Sequence, residues 1–190
     1  MNLHIALAVS ALLFVAPLSA GNRDSSRWSV STNAADWLAL LTMNTDGQYA
    51  ISRHCTLELE GRVNRSSWGD AESDREFRMK HNTVSIGARW WPWYTYSGWW
   101  FGSKGQYQEY NRGGFSSPLT EMGDAFGIGF SGGYCLMLMP WLNIDFGIGV
   151  WGGRTHYTTY SCPTCGKVVD KGDKWFVLPN ELRVSAMIVF

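Results

Sequence analysis

The segment that most restricts this chain is its last, where Leu182, Val184, Ala186, Ile188 and Phe190 alternate with Arg183, Ser185 and Met187. Period-two alternation puts the first set on one face of a strand and the second set on the other. A strand apolar on one face and ending in an aromatic residue is expected to close an outer-membrane β-barrel, pairing with the first strand while its apolar face meets lipid. Phe190 is then the barrel-closing signal. The expected partners on this reading are outer-membrane lipid and the barrel-assembly machinery.

The other end fits the same destination. An apolar stretch at residues 5–18 is followed by Ser19 and Ala20 and then by a polar run at 21–27. Such a stretch is shorter than the roughly 20 residues a spanning helix needs and reads as a secretory signal peptide, cut near Ala20. Two features depart from the ideal signal: the first four residues carry no Lys or Arg, and Leu18 is large for the residue three before the cut. The expected organisation is a signal peptide at 1–20, the Sec route, and one barrel domain at 21–190 in the outer membrane of a Gram-negative bacterium. No Cys stands immediately after the cut, which argues against a lipid-anchored mature terminus.

Charge removes one class of function. The 16 Lys and Arg are matched by 16 Asp and Glu, so the basic footprint of a nucleic-acid binder is missing and no nucleic-acid partner is expected. The mean hydropathy is that of an ordinary soluble protein. A membrane barrel shows the same value, because each lipid-facing residue alternates with a polar lumen-facing one. A mature chain of about 170 residues suits about eight strands.

Alternation and breakers divide the chain into eight expected strands at 28–36, 48–52, 56–65, 80–91, 98–110, 124–138, 141–156 and 175–190. Long polar breakers and short turns take turns between them. That asymmetry matches a bacterial barrel with short periplasmic turns, longer surface loops and both ends on the periplasmic side. A secreted soluble barrel or sandwich would also be built of hairpins.

The strand faces narrow the choice. Leu142, Ile144, Phe146, Ile148 and Val150 oppose Asn143, Asp145, Gly147 and Gly149; Leu57, Leu59 and Val63 oppose Glu58, Glu60, Arg62 and Asn64. A soluble barrel would turn the charges outward, and a membrane barrel inverts that arrangement. The aromatic residues favour inversion. Trp90, Trp91, Trp93, Tyr94, Tyr96, Trp99 and Trp100 crowd one short turn, with Trp28, Trp141 and Phe190 at the same expected edge; Tyr107, Tyr110, Trp151, Trp175 and Phe176 lie toward the other. Amphipathic rings belong at the two headgroup boundaries. A carbohydrate-binding aromatic platform is the alternative use of such rings.

The inward positions carry their own chemistry. Glu58, Glu60 and Asp145 and the bases Arg62, Arg89, Lys104 and Arg183 are expected to neutralise one another inside a narrow, non-conducting lumen. Gly127, Gly129 and Gly133 beside Gly147 and Gly149 remove volume from one wall; either Trp91, Trp151 and the arginines fill it, which is the favoured expectation, or a small cavity remains.

Cys162 and Cys165 lie two residues apart in the last long loop. Half of a zinc ribbon has this spacing, but a second ligand pair is missing; thioredoxin-type chemistry needs a βαβ setting. A loop-tying disulfide is the expectation, with no metal and no cofactor. The parities of Cys55 and Cys135 put the first toward lipid and the second toward the lumen. Catalytic candidates are thin. His156, near Tyr157, Thr158 and Ser161, could serve an interfacial enzyme, but no acid stands near it in sequence to orient it.

Ser31, Thr32, Asn33, Ala34, Ala35 and Asp36, the run 57–64, the turn at Trp91 and Pro92, residues 127–134 and the ending 182–190 resemble a family of uncharacterised small outer-membrane barrels from Bacteroidota. The resemblance implies an eight-stranded antiparallel transmembrane β-barrel without an established activity and, through related small barrels, an expected accessory role in envelope machines or surface fibres. Ala34 and Ala35 replace bulkier residues of that pattern. Two functions therefore follow as expectations. The first is a non-enzymatic barrel acting as a structural, anchoring or accessory component, with an envelope or surface partner reached through its extracellular loops. The second is an interfacial lipid-modifying enzyme using His156. A pore is disfavoured by the narrow lumen.

Overall fold

Short runs of alternating polarity, rich in aromatic and β-branched residues and broken by Gly, Pro and polar clusters, leave the chain little choice but antiparallel hairpins. A computed structural model describes residues 27–38, 41–68, 77–113, 119–161 and 166–190. Among them are strands β1 (Trp28–Asn33), β2 (Met43–Ala50), β3 (Cys55–Trp68), β4 (Phe77–Trp90), β5 (Gly98–Gly113), β6 (Thr120–Met137), β7 (Leu142–Tyr160) and β8 (Val168–Val189), with one short helix, α1 (Ala34–Leu38). Each strand pairs with the next. β8 returns to β1 in the register Val30 with Ile188 and Thr32 with Ala186, so the eight antiparallel strands form a closed ring. Closure removes the free sheet edges that an open sheet would leave unpaired. The signal peptide expected at 1–20, and Cys162 and Cys165 with their expected disulfide, lie outside the described residues.

Strand positions differ from the expected ones in informative ways. The first strand ends at Asn33, because Ala34 and Ala35 begin α1. Alanine is the best helix former, and the Asn33 side chain accepts from the Ala35 N–H at 3.2 Å, as a helix-capping residue does. The second strand is Met43–Ala50, shifted toward the N-terminus of the expected 48–52, since residues 51–54 form the turn into β3. β8 starts at Val168, seven residues before the expected 175, and β7 runs on to Tyr160 to pair with it.

The ring is polar within and apolar without. Glu58, Glu60, Asp145, Arg89 and Arg183 are buried, whereas Leu59, Ile86, Phe126, Ile128, Ile148 and Leu182 on the alternate positions stand exposed by more than half. Among the described residues most buried apolar side chains gather at the end of the ring where the short turns lie: Trp91, Tyr96, Trp100, Cys135, Met187 and Val189.

The β4–β5 turn builds that apolar plug by folding under the ring. Tyr96 and Gly98 have positive φ, 64° and 77°, and the Gly98 Cα faces the Trp93 ring so closely that a Cβ would lie 2.3 Å from it. The Tyr96 hydroxyl donates to the Arg27 carbonyl at 3.0 Å, and the Tyr96 carbonyl accepts from the Asn143 side chain at 2.8 Å and from the Cys135 thiol at 3.3 Å. Tyr96 and Trp100, expected in the headgroup belt, are therefore inside the ring; Trp91 and Trp151, named both for a belt and for filling the lumen, are inside it too, Trp151 toward the other end. Position in a turn suggested the belt. The direction in which the turn folds put these rings indoors.

Candidate functional site

The lumen has three storeys. Above the apolar plug sits a layer of charges, and above that, at the end of the long loops, a vestibule.

The charged layer follows from strand parity. Arg89 on β4 donates through Nε and Nη2 to both oxygens of Glu58 on β3, at 2.7 and 2.8 Å, and through Nη1 to Asp145 on β7 at 2.7 Å. Its guanidinium also lies 4.1 Å from the centre of the Trp100 ring. Arg183 on β8 donates to Glu181, Asp46 and Glu58. Lys104 on β5 sits between Glu60 at 2.7 Å and Glu181 at 2.8 Å, and Arg62 holds the other Glu60 oxygen at 2.6 Å. The seven charged residues named from sequence, Glu58, Glu60, Arg62, Arg89, Lys104, Asp145 and Arg183, are all buried and belong to this one layer. Charge-assisted, bidentate contacts of this kind are the strongest hydrogen bonds a protein makes.

Asp46 and Glu181 complete the layer and were missed. Glu181 has the inward parity of Arg183, two residues on, so its signal was present in the alternation. Asp46 has the parity of Gln48, but lies before the point at which the second strand was expected to begin.

Glycines set the wall thickness around the plug. A Cβ on Gly133 or Gly147 would fall 2.7 Å from the Trp100 ring, and one on Gly133 would also lie 1.9 Å from the Phe146 carbonyl. The volume that inward glycines remove from the β6–β7 wall near the turns is thus occupied by the Trp100 indole. Next to Lys104 the same holds: a Cβ on Gly87 would meet the Lys104 Cβ at 2.6 Å.

Higher up, filling stops. A cavity of about 280 Å³ opens toward the long-loop end, lined among others by His81, Tyr110, Arg112, Ala125, Trp151 and Lys174. The favoured expectation of a filled lumen is corrected here in favour of its alternative, a small cavity: the lower two storeys are filled by side chains, and the upper one holds the cavity. Glu121 anchors the rim of this vestibule, accepting from Tyr110 at 2.8 Å, Arg112 at 2.9 Å and Lys174 at 3.0 and 3.1 Å. Burial alone would raise the Glu121 carboxyl, but the hydrogen bonds from Lys174 and Tyr110 and the nearby positive charges outweigh it and hold its pKa below the usual 4.5.

His156 does have an acid beside it. Asp173 stands directly across the β7–β8 ladder, and its carboxylate meets the imidazole Nδ1. Alternation within one strand cannot show a partner supplied by the next. The pair is exposed on the outer wall and shares its carboxylate with Arg154 at 2.7 Å, away from the vestibule.

Comparison with known proteins places the chain by family. Residues 8–190 match the family described as a protein of unknown function (DUF3575). The chain belongs to that family. No curated protein and no solved structure matched. The DUF3575 match spans the three-storey lumen and every strand of the ring.

Proposed function

We propose that this DUF3575 chain is an integral barrel of the outer membrane of a Gram-negative bacterium, acting without catalysis as a structural, anchoring or accessory component of an envelope or surface assembly. The observation that carries the proposal is the inversion of polarity. Among the described residues nine buried charged side chains lie inside one ring, while Leu57, Leu59, Val84, Ile86, Phe126, Ile128, Phe130, Ile148 and Leu182 stand exposed outside. Water would penalise that exterior severely, at about 25 cal/mol for each Å² of apolar surface left wet. Lipid would not. No helix among the described residues is long and apolar enough to cross a membrane; on this reading the crossing is by strands, each paired with its neighbours around a closed ring. Trp28, Trp90, Trp93, Tyr94, Trp99 and Trp141 are exposed at the turn end, where a ring of amphipathic aromatics suits a headgroup boundary.

The occupied lower lumen supports a scaffold in preference to a pore, since solute would have to displace Arg89, Arg183 and Trp100 together. Extracellular loops are left as the surface through which a partner is met. A pull-down from native membranes in gentle detergent tests this: a stable, stoichiometric envelope or surface protein is expected, and recovery of the chain in the soluble periplasm would refute the reading.

The His156–Asp173 pair is the one observation favouring the second reading, a lipid-modifying enzyme, because an acid that orients an imidazole is half of a nucleophile-activating arrangement. An unchanged lipid A profile on His156→Ala is the result expected of the scaffold, and a lost modification the result expected of the enzyme.

A further inference from the structure

The vestibule is built differently from the rest of the lumen, and a single irregularity makes it so. In the β7–β8 ladder Gly149 faces Glu181 but Val150 faces Pro179, which leaves Asn180 as an extra residue on β8. Such a bulge reverses the alternation beyond it and re-aims side chains. Below Asn180 the inward residues of β8 are Glu181, Arg183 and Ser185; above it Leu178, Phe176 and Lys174 line the vestibule instead. Asn180 itself is fastened into the lumen, donating to Gln106 at 2.7 Å and accepting from Arg62 at 3.1 Å through its carbonyl.

Apolar surface thereby enters a lumen that is polar below. The Phe176 ring meets the buried Trp151 edge to face, with centroids 4.5 Å apart, and Leu178, Met79 and Ala125 extend the apolar lining. Above them the rim is cationic. Arg112 and Lys174 share the carboxylate of Glu121, and Lys80 lines the cavity as well. Among the described lining residues the cations outnumber this carboxylate, and a guanidinium presents five N–H donors.

We propose that this vestibule is a binding site for a small amphipathic anion, a single acidic head on a short apolar chain. The apolar part lies against Trp151, Phe176 and Leu178, and the head is met by Arg112 and Lys174. A volume of about 280 Å³ stands at the lower end of small-molecule pockets and limits the chain to a short one. The ion-pair layer forms the floor, so the ligand enters and leaves by the long-loop end. This inference rests on the reading of the chain as a membrane barrel and goes beyond its scaffold role: failure of the chain to enter nanodiscs counts against that reading, and failure of the inserted chain to bind counts against this one.

The test uses the full mature chain in lipid nanodiscs, with empty nanodiscs subtracted, and titrates octanoate, octyl phosphate and octyltrimethylammonium by calorimetry. Saturable binding of one anion per chain is expected, with no binding of the cation. A preference for octanoate would point to a free fatty acid as the source, and a preference for octyl phosphate to a lipid-derived head. Ala125→Leu fills the cavity from a buried wall position and should abolish binding. Arg112→Gln and Lys174→Gln, at the half-exposed rim, should each weaken it about tenfold, the worth of one charge-assisted hydrogen bond. Unchanged heat-dependent gel mobility checks that each variant is folded. Binding equal to empty nanodiscs, equal binding of the cation, or binding that survives both Ala125→Leu and the two rim variants would overturn the proposal.

Discussion

The Trp100 indole N–H donates to the Asp145 carboxylate at 2.6 Å, and the other Asp145 oxygen accepts from Arg89 at 2.7 Å. This carboxylate is the joint between the apolar plug and the charged layer, and it is wholly buried. Burying charge is costly unless every member is paired, so the layer is sensitive to the loss of any one of them.

Asp145→Ala should destabilise the folded ring by about 3–5 kcal/mol, because it leaves a buried guanidinium short of a partner. Asp145→Asn keeps an acceptor for the indole and should cost less. Urea unfolding in detergent, followed by tryptophan fluorescence, measures both; equal stability of the alanine variant and the parent would refute the role given to this joint.

Gly133→Ala should be strongly destabilising, since its Cβ would lie 1.9 Å from the Phe146 carbonyl and 2.7 Å from the Trp100 ring. Backbone must move, at a cost of about 1–3 kcal/mol or more. Gly61→Ala is the control: nothing lies within 4 Å of the position its Cβ would take. The thermal midpoint of the mobility shift on gels should fall for the first and hold for the second.

Much of the charged layer was legible because parity is a strict rule within a strand. Arg62, Arg89, Lys104 and Arg183 could be placed inside from their own strands alone. What escaped depends on relations between strands. Asp46 escaped because Gly47 and the polar residues before it read as a breaker, although pairing with β3 carries the strand back to Met43. Phe176 and Leu178 escaped because a bulge has no alternation signature of its own and appears only when β8 is laid beside β7. Trp100 reads as a belt residue from sequence alone, because amphipathic rings at a strand end suit a headgroup boundary. Its inward place is made by Gly133, opposite it on β6, and Gly147 on β7, where a Cβ would meet its ring.

The rim of the vestibule should loosen in acid. The Glu121 pKa is held below its unfolded value of about 4.5, so its contribution is complete above that value and is lost as pH falls through the lower folded one. Limited proteolysis of the long loops should therefore accelerate below pH 4.5 and stay constant between pH 5 and 7. Glu121→Gln should remove the acid dependence.

Reconstituted in planar bilayers, the chain should show no large, stable conductance steps. The Arg89 and Arg183 side chains cross the lumen to Glu58, Asp46 and Asp145, and an eight-stranded ring has an interior only wide enough to be filled by such side chains. Regular single-channel openings would contradict the sealed lower lumen.

The central claim, that the apolar wall faces lipid, is tested most directly by spin labels. Cys55, Cys162 and Cys165 are replaced by serine, Cys135 is left in its buried site, and single labels are placed at Ile86, Ile128, Ile148 and Leu182 on the outer wall. In reconstituted bilayers these labels should be reached by molecular oxygen, which concentrates in hydrocarbon, and hidden from a water-soluble nickel complex. Ready collision with the nickel complex at all four positions would place the outer wall in water and contradict the account.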